Sequence, residues 1–223
     1  MQTPAERHLI SRLTDHLSKA SADTGAPLIL NIGAGRSTVI EQALIASGYR
    51  FMCDRIDVEA CKADLPVVGK CLQCPVENME PLESGTYEAA FANYVLEHVA
   101  DPAQAGLEIF RVLKPGAIFV TTVPNLTAPE FFIARHAPAG LQRVMTRDRG
   151  FHTCYAWGTI GDLTALFERS GLRVDEVRYW AFTESYLGRY AVAGTLSKVY
   201  DRIVSGIGLK RLMGNVCITF RKP

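Results

Sequence analysis

The stretch Leu28-Ile29-Leu30-Asn31-Ile32-Gly33-Ala34-Gly35-Arg36-Ser37-Thr38 decides how the rest of the chain is read. Its first five residues form a short apolar run, the pattern of a strand buried on both faces of a parallel sheet. From Ser37, apolar residues at Val39, Ile40, Leu44 and Ile45 recur at helical spacing until Gly48. A strand that ends in a glycine turn and opens a helix makes a ligand site for physical reasons. Glycine lets the backbone come close to a ligand, and the free N–H groups of the helix start attract electron-rich groups. Gly33-x-Gly35 alone is a weak signal. A second strand fits Phe51 to Asp57, and at its end Asp57 can accept hydrogen bonds from both hydroxyls of a ribose. Thr38 stands where a dinucleotide site wants a third glycine or alanine, which disfavours an NAD-dependent oxidoreductase.

Working outward, Leu9, Ile10, Leu13 and Leu17 give the N-terminal segment a helical period, and Ser21 to Gly25 reads as a turn-forming linker. A third short strand fits Cys71 to Gln73 and a fourth Tyr87 to Asn93. A helix from Pro102 to Leu113 is expected to stop at Lys114-Pro115-Gly116, before a fifth strand from Ile118 to Val123. Strand and helix alternate, which predicts an α/β chain with a parallel sheet and right-handed crossovers. The period breaks from Leu126 to Tyr155, and 126–156 is expected to be a lid or substrate-binding insertion. Beyond it come a helix from Thr159 to Arg169, a strand from Leu172 to Phe182, a helix from Tyr190 to Ile207 and a strand from Val216 to Phe220. The expected organisation is one domain spanning 1–223.

Lys and Arg total 24 against 23 Asp and Glu, so the clustered positive charge that a dedicated nucleic-acid binder needs is missing. No apolar run is long enough to span a membrane, and charges at Arg7, Asp15 and Lys19 interrupt any signal-like core, which points to a cytoplasmic protein. Six cysteines in such a chain are expected as thiols. Cys71 and Cys74 form a single CxxC pair where structural zinc needs two, so no metal is expected. The helix from Tyr190 to Ile207, with Leu209-Lys210-Arg211-Leu212 after it, is weakly basic and apolar on one face. Packing against the sheet explains that pattern more simply than peripheral contact with a membrane or an acyl carrier.

LILNIGAG at 28–35, Asp57, NYVLEHVADP at 93–102 and EIFRVLKPGAIFVTTVPN at 108–125 together resemble the class I S-adenosylmethionine-dependent methyltransferases. The likeness is to the small bacterial branch with LEHV and RVLKPGG signatures, close over 28–125 and loose over 150–223. It implies a Rossmann-like three-layer sandwich with a mostly parallel seven-stranded sheet, order 3-2-1-4-5-7-6, the last strand antiparallel. It also implies a site for S-adenosylmethionine. Gly33, Ala34 and Gly35 would pass under its methionine and ribose, and Asp57 would bind the ribose hydroxyls. Val76 and Glu77 would flank adenine, and Asn93 and Tyr94 would line the pocket near the reactive methyl. Asn31 departs from the family, which often has an acid there to orient the ammonium end. Asp54 is the alternative ribose ligand, disfavoured by register.

A sulfonium methyl is already activated, so the protein must mainly align the nucleophile and exclude water. A base is needed only if the acceptor carries a proton. His98, after the fourth strand, and His152, with Tyr155 after the irregular stretch, are the candidates. Glu97 reads as a cap or packing partner. Arg135, Arg143, Arg147 and Arg149 in the lid suit an anionic acceptor. The expected reaction is methyl transfer to a small molecule or glycan, at oxygen. The alternative is a non-catalytic scaffold or sensor that only binds the cofactor.

Overall fold

The computed structural model describes residues 2–20, 25–129, 131, 154–183 and 191–223. Among them, strands β1 (Leu28–Ile32), β2 (Met52–Asp57), β3 (Val68–Gln73), β4 (Tyr87–Asn93), β5 (Leu113–Pro124), β6 (Arg173–Trp180) and β7 (Asn215–Arg221) form one sheet. The order is β3-β2-β1-β4-β5-β7-β6, as the resemblance implied. β1 to β5 pair in parallel, and β7 runs antiparallel to both β5 and β6.

The helices are α1 (Pro4–Ala20), α2 (Val39–Ala46), α3 (Pro102–Val112), α4 (Ile160–Arg169) and α5 (Ala191–Ile207). The period of two along each strand sorts the core into two layers. Ala89, Phe91, Ile118 and Val120 face α1 and α2, where Leu9, Leu13, Leu17, Ile40 and Leu44 are buried. Ala90, Ala92, Phe119 and Phe220 face α3 and α4, where Ile109, Leu163 and Phe167 are buried. On that side Phe167 stacks on Phe119 and Phe220 at 5.7 and 5.0 Å. Thr159 closes the start of α4 by a capping box with Asp162.

Three expectations change. β3 begins at Val68, not Cys71; it is an edge strand and half exposed, so apolar alternation does not mark its start. Lys114-Pro115-Gly116 is not a turn after a helix. Leu113 is already extended (ψ 146) and pairs with Tyr87, and Gly116 donates its N–H to Lys222 O at 2.9 Å, so α3 runs straight into β5.

α5 is described from Ala191 to Ile207 and ends where expected, but four of its apolar side chains do not pack on the sheet. Leu196, Val199, Ile203 and Ile207 are exposed, while Ser197 and Val204 are buried. The expected lid over 126–156 lies mostly outside the described residues, as do His152, Arg135, Arg143, Arg147 and Arg149. No helix among the described residues is long and apolar enough to cross a membrane.

Candidate active site

In a sheet of this order the crevice lies at the carboxyl edge, where the connections after β1 and β4 diverge to opposite faces. Gly33 (φ +65) and Gly35 (φ +48) both sit in the left-handed region, which only glycine enters cheaply. A Cβ on Gly33 would lie 2.4 Å from a methyl of Val95, so the turn after β1 and the segment after β4 are packed directly together. Ala34 donates its N–H to Ile56 O at 3.0 Å, tying the turn to β2.

Asp57 stands at the end of β2, facing that turn. Its Oδ2 accepts from Gly35 N–H at 2.8 Å and its Oδ1 from Glu59 N–H at 2.9 Å. Each carboxylate oxygen has two lone-pair sites, so each keeps one for a further donor. Two acceptor sites beside a glycine turn match the paired hydroxyls of a ribose. Asp54 is not so placed. It is buried and accepts from Tyr87 Oη–H at 2.9 Å and Lys70 N–H at 2.7 Å, a packing role; burial first, and the Asp54 charge second, raise the Tyr87 phenol's pKa.

Beneath the turn lies a polar cluster that sequence reasoning missed. Arg55 is fully buried and donates from Nη2 to the carbonyls of Ala34, Gly35 and Ser37 at 3.1, 3.2 and 2.9 Å. Its Nη1 is paired with the buried Glu41 of α2. Asn31 donates from Nδ2 to the same Glu41 oxygen at 2.6 Å. Asn31 is thus committed to the helix behind the turn. One arm of the guanidinium meets three loop carbonyls while the other pairs with Glu41, a two-armed geometry that a lysine's single ammonium does not reproduce.

On β4, Asn93 is clamped from two sides. Its Oδ1 accepts from Thr122 Oγ1–H at 2.6 Å, and its Nδ2 donates to Glu6 of α1 at 2.9 Å. Tyr94 has φ +55, unusual for a bulky side chain, and its N–H donates to Thr122 O at 3.1 Å. Its hydroxyl donates to Asn215 Oδ1 at 2.5 Å and lies 3.4 Å from Thr3 Oγ1. The start of α1 is therefore fastened across the rim of β4, β5 and β7. Val76 is buried after β3, and Glu77 accepts from Ala100 N–H at 3.1 Å, linking that connection to the loop after β4.

His98 ends a 3-10 turn (Leu96–His98) and is exposed, and its carbonyl accepts from Cys154 Sγ at 3.5 Å. Glu97 beside it is a packing residue rather than a cap. Its side chain is buried, with Oε2 lacking a hydrogen-bond partner, and burial pushes its pKa up to about 8. Its carbonyl accepts from Cys154 and Tyr155 N–H at 2.8 and 3.2 Å. Trp157 is buried, and Trp180 lies half-buried 5.2 Å from the His8 ring. Cys74 is buried and Cys71 exposed, both as thiols.

The structure thus gathers Gly33, Ala34, Gly35, Asp57, Asn93 and Tyr94 along one edge, with Asn31 turned behind it. Residues 30–121 match the family model described as a methyltransferase domain. With the strand order, that match agrees with the resemblance to the class I S-adenosylmethionine-dependent methyltransferases. It is similar to the mitochondrial ubiquinone biosynthesis O-methyltransferase of Homo sapiens, 28% identical over 208 residues, covering 81% of this chain and 54% of that protein. The chain therefore spans about half the length of that relative. Among solved structures it resembles the [4+2]-cyclase SpnF, with a TM-score of 0.58, 21% identity and coverage of 95% and 80% of the two chains. It also resembles a geranyl diphosphate methyltransferase in complex with S-adenosylmethionine, with a TM-score of 0.60, 15% identity and coverage of 96% and 84%. At these identities the two structures speak for the fold.

Proposed function

We propose that the chain catalyses S-adenosylmethionine-dependent methyl transfer to a hydroxyl of a small molecule, with a glycan as the second acceptor class. The observation that carries the oxygen acceptor is the likeness to ubiquinone O-methyltransferases, which runs over 81% of the chain rather than over the glycine turn alone. When bound, the cofactor supplies a methyl group already activated on a sulfonium sulfur. Gly33, Ala34 and Gly35 give it close backbone approach, and the two open acceptor sites on Asp57 hold its ribose. Val76 and Glu77 flank the adenine, and Asn93 and Tyr94 border the methyl. Arg55 and Glu41 keep the turn in one shape, and Asn31 acts through Glu41. The acceptor meets the carboxyl edge of β4, and 126–156 serves as its lid or substrate-binding insertion within a single domain spanning 1–223. His98 or His152 takes the acceptor's proton.

Calorimetry with the demethylated cofactor, S-adenosylhomocysteine, is expected to show binding that weakens roughly tenfold to a hundredfold in Asp57→Ala, the loss of charge-assisted hydrogen bonds. Turnover with labelled methyl groups and a catechol probe should place label on phenolic oxygen. His98→Ala or His152→Ala should lower kcat by about a hundredfold or more, the usual contribution of a general base. Cofactor binding without transfer to any fraction of a cell extract would favour the non-catalytic sensor. Tighter binding of NAD would reverse the cofactor assignment.

A further inference from the structure

β6 and β7 form an antiparallel hairpin whose connection, 181–214, leaves and re-enters the sheet at the carboxyl edge of β5. Asn215 pairs there with both Pro124 and Trp180. α5 belongs to this excursion and is held on its inner side by small and polar contacts. Ser197 and Val204 are buried, and Asp201 accepts from Thr183 N–H and Oγ1–H at 3.0 and 2.8 Å. Tyr200 donates its hydroxyl to Leu212 O at 3.0 Å. On the outer side Leu196, Val199, Ile203 and Ile207 follow at three- and four-residue spacing, so they form one stripe. Leu209 extends it. All five are 47–64% exposed. A continuous apolar stripe on the outside of a helix is hydrated at a cost unless something covers it.

The charges around the stripe indicate what that is. Lys198 and Arg202 lie one turn apart on the exposed side of α5, and Lys210 and Arg211 follow at its end, all exposed. Lys210 keeps its ammonium 5.6 Å from the Tyr179 ring. Asp201 is the only acid between Thr195 and Leu212, and it is turned inward onto Thr183. A second copy of this chain laid face to face would set cations against cations. A bilayer surface with anionic headgroups accepts both the stripe and its cationic border.

We propose that α5 and the turn after it dock on an anionic membrane surface, with Leu196, Val199, Ile203 and Ile207 sunk among the acyl chains. Lys198, Arg202, Lys210 and Arg211 meet the headgroups. Because the excursion springs from the carboxyl edge, docking would present the acceptor side of the crevice to the lipid. The docking itself requires no methyl transfer.

The test is flotation of the purified full chain with vesicles of phosphatidylcholine alone and of phosphatidylcholine with about 30% phosphatidylglycerol. The expected result is capture by the anionic vesicles only, weakening as salt is raised. Leu196→Asp with Ile203→Asp should abolish it, and Lys198→Gln with Arg202→Gln should reduce it roughly tenfold or more. All four positions are exposed, so thermal unfolding of both variants should match the parent. The proposal is overturned if the parent does not float at low salt, or if the aspartate variant floats as well as the parent. It is equally overturned if light scattering finds a dimer that the aspartate variant dissociates, which would make the stripe a contact between copies. None of these readouts depends on the acceptor or on turnover, so they cannot be confused with failure of the methyl-transfer reading.

Discussion

The carboxyl ends of β1 and β2 are held by buried charge, whereas the carboxyl ends of β4 and β5 and the amino end of β7 are held mainly by neutral amides and hydroxyls. Behind the glycine turn, Arg55 and Glu41 are both buried and leave almost no alternative arrangement. Across the sheet, Asn93, Thr122, Tyr94 and Asn215 are linked by hydrogen bonds between uncharged groups, with Glu6 joining at the rim. A buried ion pair is costly to break and so fixes one geometry. A neutral network is cheaper to rearrange and easier to alter one residue at a time. The difference suits a fixed cofactor on one side and a particular acceptor on the other.

The most severe way to break this contrast is Arg55→Met. It leaves Glu41 buried without its ion partner and should cost about 3–5 kcal/mol, read by chemical denaturation. Adding Glu41→Met should restore most of that stability. The Ala34, Gly35 and Ser37 carbonyls would still lack their donor, so S-adenosylhomocysteine should bind the double variant at least about tenfold more weakly. Wild-type affinity in the double variant would mean that Arg55 acts only as a counter-charge.

Glu97 sharpens the contrast, because it places a buried acid, its Oε2 lacking a hydrogen-bond partner, on the side built mainly from neutral groups. Burial raises its pKa from an ordinary 4.5 to about 8. Below 4.5 both folded and unfolded chains hold the proton. Between the two values only the unfolded chain loses it, so stability should fall as pH rises through that window, by at most about 1.4 kcal/mol per unit. Glu97→Gln should flatten this dependence. Denaturation at pH 5 and pH 8 measures it, and an identical slope in parent and variant would show that Glu97 is paired when folded.

The smallest effect is expected for Tyr94→Phe, which removes one hydrogen bond to Asn215 and a weaker contact to Thr3. The loss should be about 1 kcal/mol by the same denaturation assay. A loss as large as that of Arg55→Met would abolish the distinction between the two sides.

Much of this was legible from local pattern. The apolar run at Leu28 with its glycines gave β1, the turn and α2, and Tyr87 to Asn93 gave β4 to the residue. Strand order was not in the periodicity; it followed from the family resemblance. Arg55 was not legible because nothing local distinguishes a charge buried in a central strand from one at its end. Its partner lies 14 residues away on another element. Glu97 sits in a motif that reads as a helix start, and only tertiary packing removes its solvent. For α5 the period correctly gave an apolar stripe, but a period carries no sign. It cannot say whether the stripe faces the sheet or the outside, and here the small polar side faces inward.

The order in which the strands are made differs from the order in which they lie. Among the described strands β7 is synthesised last, yet it lies between β5 and β6 and is the only neighbour β6 has. While the chain is still on the ribosome, β5 therefore shows an open edge and β6 has nothing to pair with. The parallel part of the sheet, with the glycine turn and Asp57, can assemble during synthesis, but the antiparallel end closes only after Asn215 to Arg221 emerge. A premature stop anywhere in those few codons would leave two unpaired edges in the nascent protein, a lesion that invites aggregation rather than a mild loss of activity.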